Sequence, residues 1–269
     1  MSQEDLAGWD YPTSSAMNIE EIQKLHYDRI GAQYESHYGD ACSREYRERF
    51  IDAPMFQGID LSGKHVLEAM CGNGQTTEYL LSKGAKVTGL DISTAEIDSF
   101  RDRFPNCEAL CGSIFETGFA GDSFDCVAIV GGLHHLHPDI NKAVTEIHRV
   151  LKPGGYFCFA EPYQGSLPDI VRSFWYKHDK LFAANEASID VGELKREFVT
   201  RFNFIDETHL GNIGYLLVLN SMVFRIPVRL KPLYTPIVMA GESLINRLVG
   251  KWSSCFVVCQ WQKVGAIEA

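Results

Sequence analysis

Val66-Leu67-Glu68-Ala69-Met70-Cys71-Gly72-Asn73-Gly74 decides the fold class. An apolar run holding one acid ends in a turn with two glycines, and a helical pattern from Thr76 to Lys83, stopped by Gly84, follows it. Glycine suits such a turn because the missing Cβ lets the backbone bend tightly and approach a ligand closely. Outward from there, strand Lys86–Leu90 leads to Asp91, and Ser93 with Glu96 forms a capping box for a helix that stops at Pro105. Strands Glu108–Leu110 and Phe124–Val130, a helix from Asp139 to Leu151 and strand Tyr156–Ala160 continue the alternation. The last helix has its core stripe in Ile140, Ala143, Val144, Ile147, Val150 and Leu151, and Lys152-Pro153-Gly154-Gly155 is expected to end it. Repeated β-α-β units predict an α/β fold, a parallel sheet with helices on both faces, whose ligands bind at the carboxyl ends of the strands.

The flanks read differently. Residues 1–55 form an expected helical cap segment: Asn18 with Glu21 makes a capping box, Ile19, Ile22, Leu25 and Ile30 recur at helical spacing, and a second helix runs from Ser43 to Phe50, stopped by Pro54. Residues 56–269 are expected to be one domain. Within it, Ile170 to Phe182 and Glu193 to Phe198 are helical, strands Phe202–Glu207 and Cys255–Trp261 close the sheet, and about 211–250 is a mostly apolar insert between them.

Composition narrows the function classes. The 269 residues are 45% apolar and 22% charged, enough for one sizeable core and against disorder. A net charge of −10 opposes a phosphate backbone, so no nucleic-acid partner is expected. The acidic start MSQEDLAGWDYPTSS lacks the basic region and apolar core of a secretory signal, and the apolar stretch Ile213–Phe224 is too short to span a bilayer, so a cytoplasmic protein is expected. The eight cysteines form no CxxC pair and lack partners at metal-site spacing, so no metal is expected.

A glycine turn followed by an acid at the end of the second strand fits nucleotide-binding α/β domains in general, because that carboxylate can accept both ribose hydroxyls. A NAD-dependent oxidoreductase wants a third glycine where this chain has Thr77, and has no use for a carboxylate at Glu68. A binding protein without catalysis is a further alternative.

The chain resembles the class I S-adenosylmethionine-dependent methyltransferases from about Tyr27 to Glu161. The first motif carries the resemblance, together with Asp91, Ser123-Phe124-Asp125-Cys126-Val127 leading to Leu133-His134-His135-Leu136, and Leu151-Lys152-Pro153-Gly154-Gly155. It implies a Rossmann-like, doubly wound, mostly parallel seven-stranded sheet, S-adenosylmethionine as cofactor, and methyl transfer to a small molecule or a glycan or lipid-linked intermediate. By the same resemblance Glu68 anchors the methionine end, and Gly72, Asn73 and Gly74 pass beneath the cofactor. Asp91 binds the ribose, Ile92 packs on the adenine, and Gly131 lies at the edge of the fourth strand. The family's first glycine is Met70 here, so the turn must accept a side chain. The acid that often meets the adenine amino group matches Ser113, so that its oxygen or the Ile114 backbone must substitute. Tyr27 and Tyr34 look like the tyrosines of the family's N-terminal helix, which folds over the cofactor; packing on the sheet edge is the alternative.

Methyl transfer needs positioning and a dry site, with a base only where the acceptor must lose a proton. His134 and His135 follow the fourth strand and Glu161 lies just past the fifth, at the ligand edge. One histidine is a candidate general base, His135 foremost, against a loop-supporting role; Glu161 is a candidate to orient an acceptor hydroxyl or amine. No Asn-Pro-Pro-Tyr follows the fourth strand, where Val130-Gly131-Gly132-Leu133 stands, which argues against the amide and exocyclic-amine methylases. The insert is read as a substrate lid. From Ser221 to Lys251 it also holds five basic residues, Arg225, Arg229, Lys231, Arg247 and Lys251, against the single acid Glu242, which admits a peripheral membrane contact. Pro227, Pro232 and Pro236 are expected to prevent a long helix there.

Overall fold

The computed structural model describes residue 24 and residues 38–176, 187–221, 224–248 and 250–265. Seven strands build one sheet: β1 His65–Ala69, β2 Lys86–Asp91, β3 Glu108–Cys111, β4 Phe124–Val130, β5 Leu151–Pro162, β6 Phe202–Leu210 and β7 Phe256–Lys263. Their order is β3-β2-β1-β4-β5-β7-β6, parallel except for β7, which runs antiparallel between β5 and β6. The chain leaves β1 toward β2 on one side and returns to β4 on the other, so strand order reverses between β1 and β4. That is where a doubly wound sheet opens a crevice.

The described α-helices longer than one turn are α1 Ala41–Arg47, α2 Thr77–Ser82, α3 Thr94–Arg103, α4 Ile140–Val150, α5 Leu167–Tyr176, α6 Val191–Phe198 and α7 Lys231–Leu248. Alternation along the strands divides the core. Val66, Cys126, Ala128, Cys158 and Val258 point to a layer with Tyr46, Phe50, Met55, Ile97 and Phe100. Leu67, Val127, Ile129, Phe157, Phe159 and Trp261 point to the opposite layer with the α4 stripe and Leu194 and Phe198 of α6. Ser93 caps α3 as its spacing predicts, its Oγ accepting the Glu96 N–H at 3.2 Å.

Three expectations are corrected. Lys152-Pro153-Gly154-Gly155 does not form a separate stop: α4 ends at Val150 and the four residues already belong to β5, whose register with β4 shifts between Phe124 and Cys126. Pro54 does not stop the N-terminal helix, which passes through a π-helical turn at Glu48–Asp52 and ends at Met55. The prolines of the insert do not prevent a long helix either, since α7 has 18 residues with Pro232 in its first turn, where its missing N–H would have no helical partner. Only Pro236 lies inside α7, and the Thr235 hydroxyl donates to the Lys231 carbonyl beside it at 2.7 Å. Tyr27, Tyr34 and the capping box at Asn18 lie outside the described residues.

Candidate cofactor and acceptor site

A cavity opens at the carboxyl ends of β1, β2 and β4, lined by Glu68, Met70, Gly72 and Asn73 from the β1 turn, Asp91 and Ile92 from β2, Ile114, and Gly131 and His135 after β4. The sequence reading therefore gathers most of its candidates at one place. Gly74 lies beneath the turn instead, where an added Cβ would come within 2.6 Å of Phe104 and 2.8 Å of Phe100. Ser113 is not among the lining residues; its Oγ accepts the Phe115 N–H at 2.9 Å and closes a local turn before Ile114.

The turn is tied down by two acids. Asp91 accepts the Gly72 N–H on Oδ2 and the Ser93 N–H on Oδ1, each at 2.9 Å, which fixes its carboxylate between the β1 turn and the start of α3. Glu68 accepts the Thr76 N–H at 3.0 Å and the Thr77 hydroxyl. Burial pushes its carboxyl up from the usual 4.5 to about 7, against the opposing pull of Thr77, Thr76 and the Arg47 guanidinium. Glu68 thus has structural partners of its own, which its reading as a ligand anchor alone did not foresee. Thr77, standing where a dinucleotide fold has its third glycine, supplies one of them.

Met70 takes φ +53°, the left-handed conformation that glycine adopts freely, at a cost of roughly 1 kcal/mol for an L-residue. Its side chain covers Gly132, where a Cβ would meet Met70 Sδ at 2.8 Å, so the side chain in the first turn is matched by a missing one in the loop after β4. Asn73 is held from outside the cavity by Arg103, whose Nη1 reaches its side-chain oxygen at 3.3 Å.

The β4 loop has its own anchor. Glu161 is fully buried and accepts the N–H groups of Gly132 at 2.8 Å and Leu133 at 2.7 Å on Oε1, while its Oε2 lies 2.8 Å from His134 Nδ1. Glu161 and His134 are not among the residues that line this cavity, and the Glu161 carboxylate is engaged by the loop amides and the His134 ring. His135 alone of the three lines the cavity, its ring centroid 3.9 Å from that of His134.

Sequence reasoning missed Arg47, Gln75 and Glu96 in the wall. Arg47 ends α1 and donates to Gln75 Oε1 at 2.5 Å and Thr76 Oγ1 at 3.3 Å. No local motif marks it. Glu96 was absorbed by its capping-box role, yet its carboxylate faces the turn, 3.5 Å from where a Gly72 Cβ would stand. Among the described residues no group of three or more His, Cys, Asp or Glu is placed to hold a metal ion.

Residues 67–159 match the family described as methyltransferase domain. The chain carries a class I S-adenosylmethionine-dependent methyltransferase domain. That domain is 33% identical over 120 residues to an uncharacterized methyltransferase of Synechocystis, covering 44% of this chain and 57% of the relative. It is 38% identical over 107 residues to the phthiotriol/phenolphthiotriol dimycocerosates methyltransferase of Mycobacterium tuberculosis, covering 38% and 39%. A malonyl-acyl-carrier-protein O-methyltransferase of Salmonella typhimurium is 30% identical over 159 residues, covering 59% and 60%. The chain thus spans less than two thirds of the length of these relatives. The fold of the methyltransferase domain is shared with the cyclase SpnF, at TM-score 0.64 and 15% identity over 93% of this chain and 98% of that one. It is also shared with a possible histamine N-methyltransferase of Thermotoga maritima, at TM-score 0.60 and 18% identity over 89% and 99%. The oxidoreductase alternative finds no support in these comparisons.

Proposed function

We propose that this chain transfers the methyl group of S-adenosylmethionine to a small-molecule acceptor or to a glycan or lipid-linked one. The observation that carries the reading is Asp91, held by the Gly72 and Ser93 amides with its carboxylate on the cavity wall. The donor set fits the cofactor: carboxylates of Asp91 and Glu96 suit ribose hydroxyls, and Leu90, Ile92, Ile114 and Leu136 offer apolar walls to a purine. Glu68 and Arg47 stand at the end of the turn, where an amino acid's charges find partners of opposite sign.

When bound, the cofactor supplies a methyl carbon made electrophilic by its sulfonium. The work assigned to the chain is positioning. Gly72, with φ +51°, and Gly131, with φ +66°, bring backbone close to the ligand without a side chain between. Glu161 and His134 fix the loop that carries His135, and His135 takes the acceptor proton where one must leave.

The M. tuberculosis and Salmonella relatives are named for phthiotriol and phenolphthiotriol dimycocerosates and for a malonyl-acyl-carrier protein, which supports an acceptor of lipid character. A peripheral contact of residues 221–251 with a membrane belongs to the same reading, as does a place in the cytoplasm. Titration with S-adenosylmethionine, S-adenosylhomocysteine and NAD, followed by turnover on small acids and acyl conjugates, tests it. Saturable binding of the first two with methyl transfer is expected; binding of NAD in preference would overturn it.

A further inference from the structure

Helix α7 packs Met239, Tyr234 and Val238 on the core but sets two ionisable side chains on the same inner side. The face it turns to the protein carries Lys231, Thr235, Met239 and Glu242, all buried. Lys231 is 0% exposed and donates to Asp40 Oδ2 at 2.5 Å and Ser43 Oγ at 2.8 Å. Glu242, also 0% exposed, accepts the Tyr46 hydroxyl at 2.7 Å and the N–H groups of Asn212 and Gly214 at 2.8 and 2.9 Å. These two polar clamps hold α7 against α1.

The opposite face is apolar and open. Leu233, Ile237, Ala240, Leu244 and Leu248 follow at spacings of four, three, four and four, a single stripe along the helix, with Leu233 76%, Ile237 78% and Leu248 75% exposed. An amphipathic helix of a water-soluble surface has a polar outer face instead. Beyond its end Trp252 is exposed on the turn that packs beside α5, where Leu167, Ile170 and Val171 are exposed as well. A patch of this kind marks a surface that meets an apolar environment.

Charge identifies that environment. With Lys231 and Glu242 withdrawn into the clamps, segment 224–252 shows solvent the cations Arg225, Arg229, Arg247 and Lys251 and not one carboxylate, in a chain of net charge −10. We propose that the outer face of α7, with Trp252 and the four flanking cations, docks on an anionic lipid surface. Apolar side chains enter the acyl boundary while Arg and Lys meet the headgroups. Because α1 carries the clamps on one side and brings Arg47 to the cavity wall, docking places the cavity behind α7 and α1. The inference deepens the lipid-acceptor reading, but vesicle binding is measured without methyl transfer, so either can fail alone.

The test is cosedimentation of the full chain with phosphatidylcholine vesicles, with and without phosphatidylglycerol, at low and high salt. The expected result is sedimentation with the anionic vesicles that weakens with salt. Leu233→Gln/Ile237→Gln/Leu244→Gln should weaken it at least about tenfold, as should Arg225→Ser/Arg229→Ser/Arg247→Ser/Lys251→Ser. All these side chains lie on the surface, and unchanged melting and S-adenosylmethionine binding identify variants that remain folded. Protein left in the supernatant at low salt overturns the proposal, as do variants that bind like wild type. A vesicle-free dimer dissolved by Ile237→Gln overturns it too, by assigning the face to a second copy.

Discussion

Oε2 of Glu161 lies 2.8 Å from Nδ1 of His134, and the other oxygen of the same carboxylate accepts two consecutive amides of the loop after β4. One buried acid at the end of β5 thereby shapes the loop of β4 that presents His135 to the cavity. Glu161→Gln replaces one acceptor oxygen by a donor and should cost about 1–3 kcal/mol of stability. A melting temperature equal to wild type would remove the anchoring role.

His135→Ala tests the base by a different readout. Turnover on an acceptor that must lose a proton should fall roughly 10²-fold while S-adenosylmethionine affinity stays near wild type. Normal turnover would return His135 to loop support.

Glu68 predicts a pH dependence. Its carboxyl titrates near 7 in the folded chain against a usual 4.5, so the folded state keeps a proton that the unfolded chain has released. Its stabilising contribution is complete below pH 4.5 and is lost as pH rises through about 7, a shift corresponding to about 3 kcal/mol. Asp52, pushed up to about 7 by burial, acts in the same sense. Wild type should therefore gain on Glu68→Gln in melting temperature between pH 8 and pH 5; a difference that ignores pH would contradict this assignment.

Lys231 and Asp40 form an ion pair with the ammonium fully buried. Burial alone would raise the Asp40 carboxyl, but hydrogen bonds from Lys231 and Ser43 hold it below its ordinary value. Lys231→Met should destabilise by about 3 kcal/mol, and adding Asp40→Leu should restore part of the loss. Urea titration measures both. Additive losses would mean that the two side chains are not coupled.

The parallel part of the fold was legible because each element there has a local signature: short, mostly apolar strand runs ended by turn residues, the Ser93 cap and the α4 stripe. The cavity was legible where the motif supplies the wall, from Glu68 to Asn73 and at Asp91. Arg47 was not, because it reaches the cavity only through the packing of α1, and nothing near it in sequence records that. Lys231 and Glu242 misled for a related reason. Counted as surface charges in sequence, they are internal partners of Asp40 and Tyr46, residues nearly two hundred positions away. Pro232 and Pro236 misled because position within the helix decides what a proline costs.

The central claim is that Asp91 and the β1 turn hold S-adenosylmethionine, and equilibrium titration of wild type and Asp91→Ala tests it most directly. Removing hydrogen bonds to a charged group should weaken binding by about 1.5–3 kcal/mol, roughly ten- to more than a hundredfold. Saturable binding by wild type with that loss in the folded variant is the predicted result. Equal affinity of the two proteins, or no saturable binding of S-adenosylmethionine by wild type, would contradict the account.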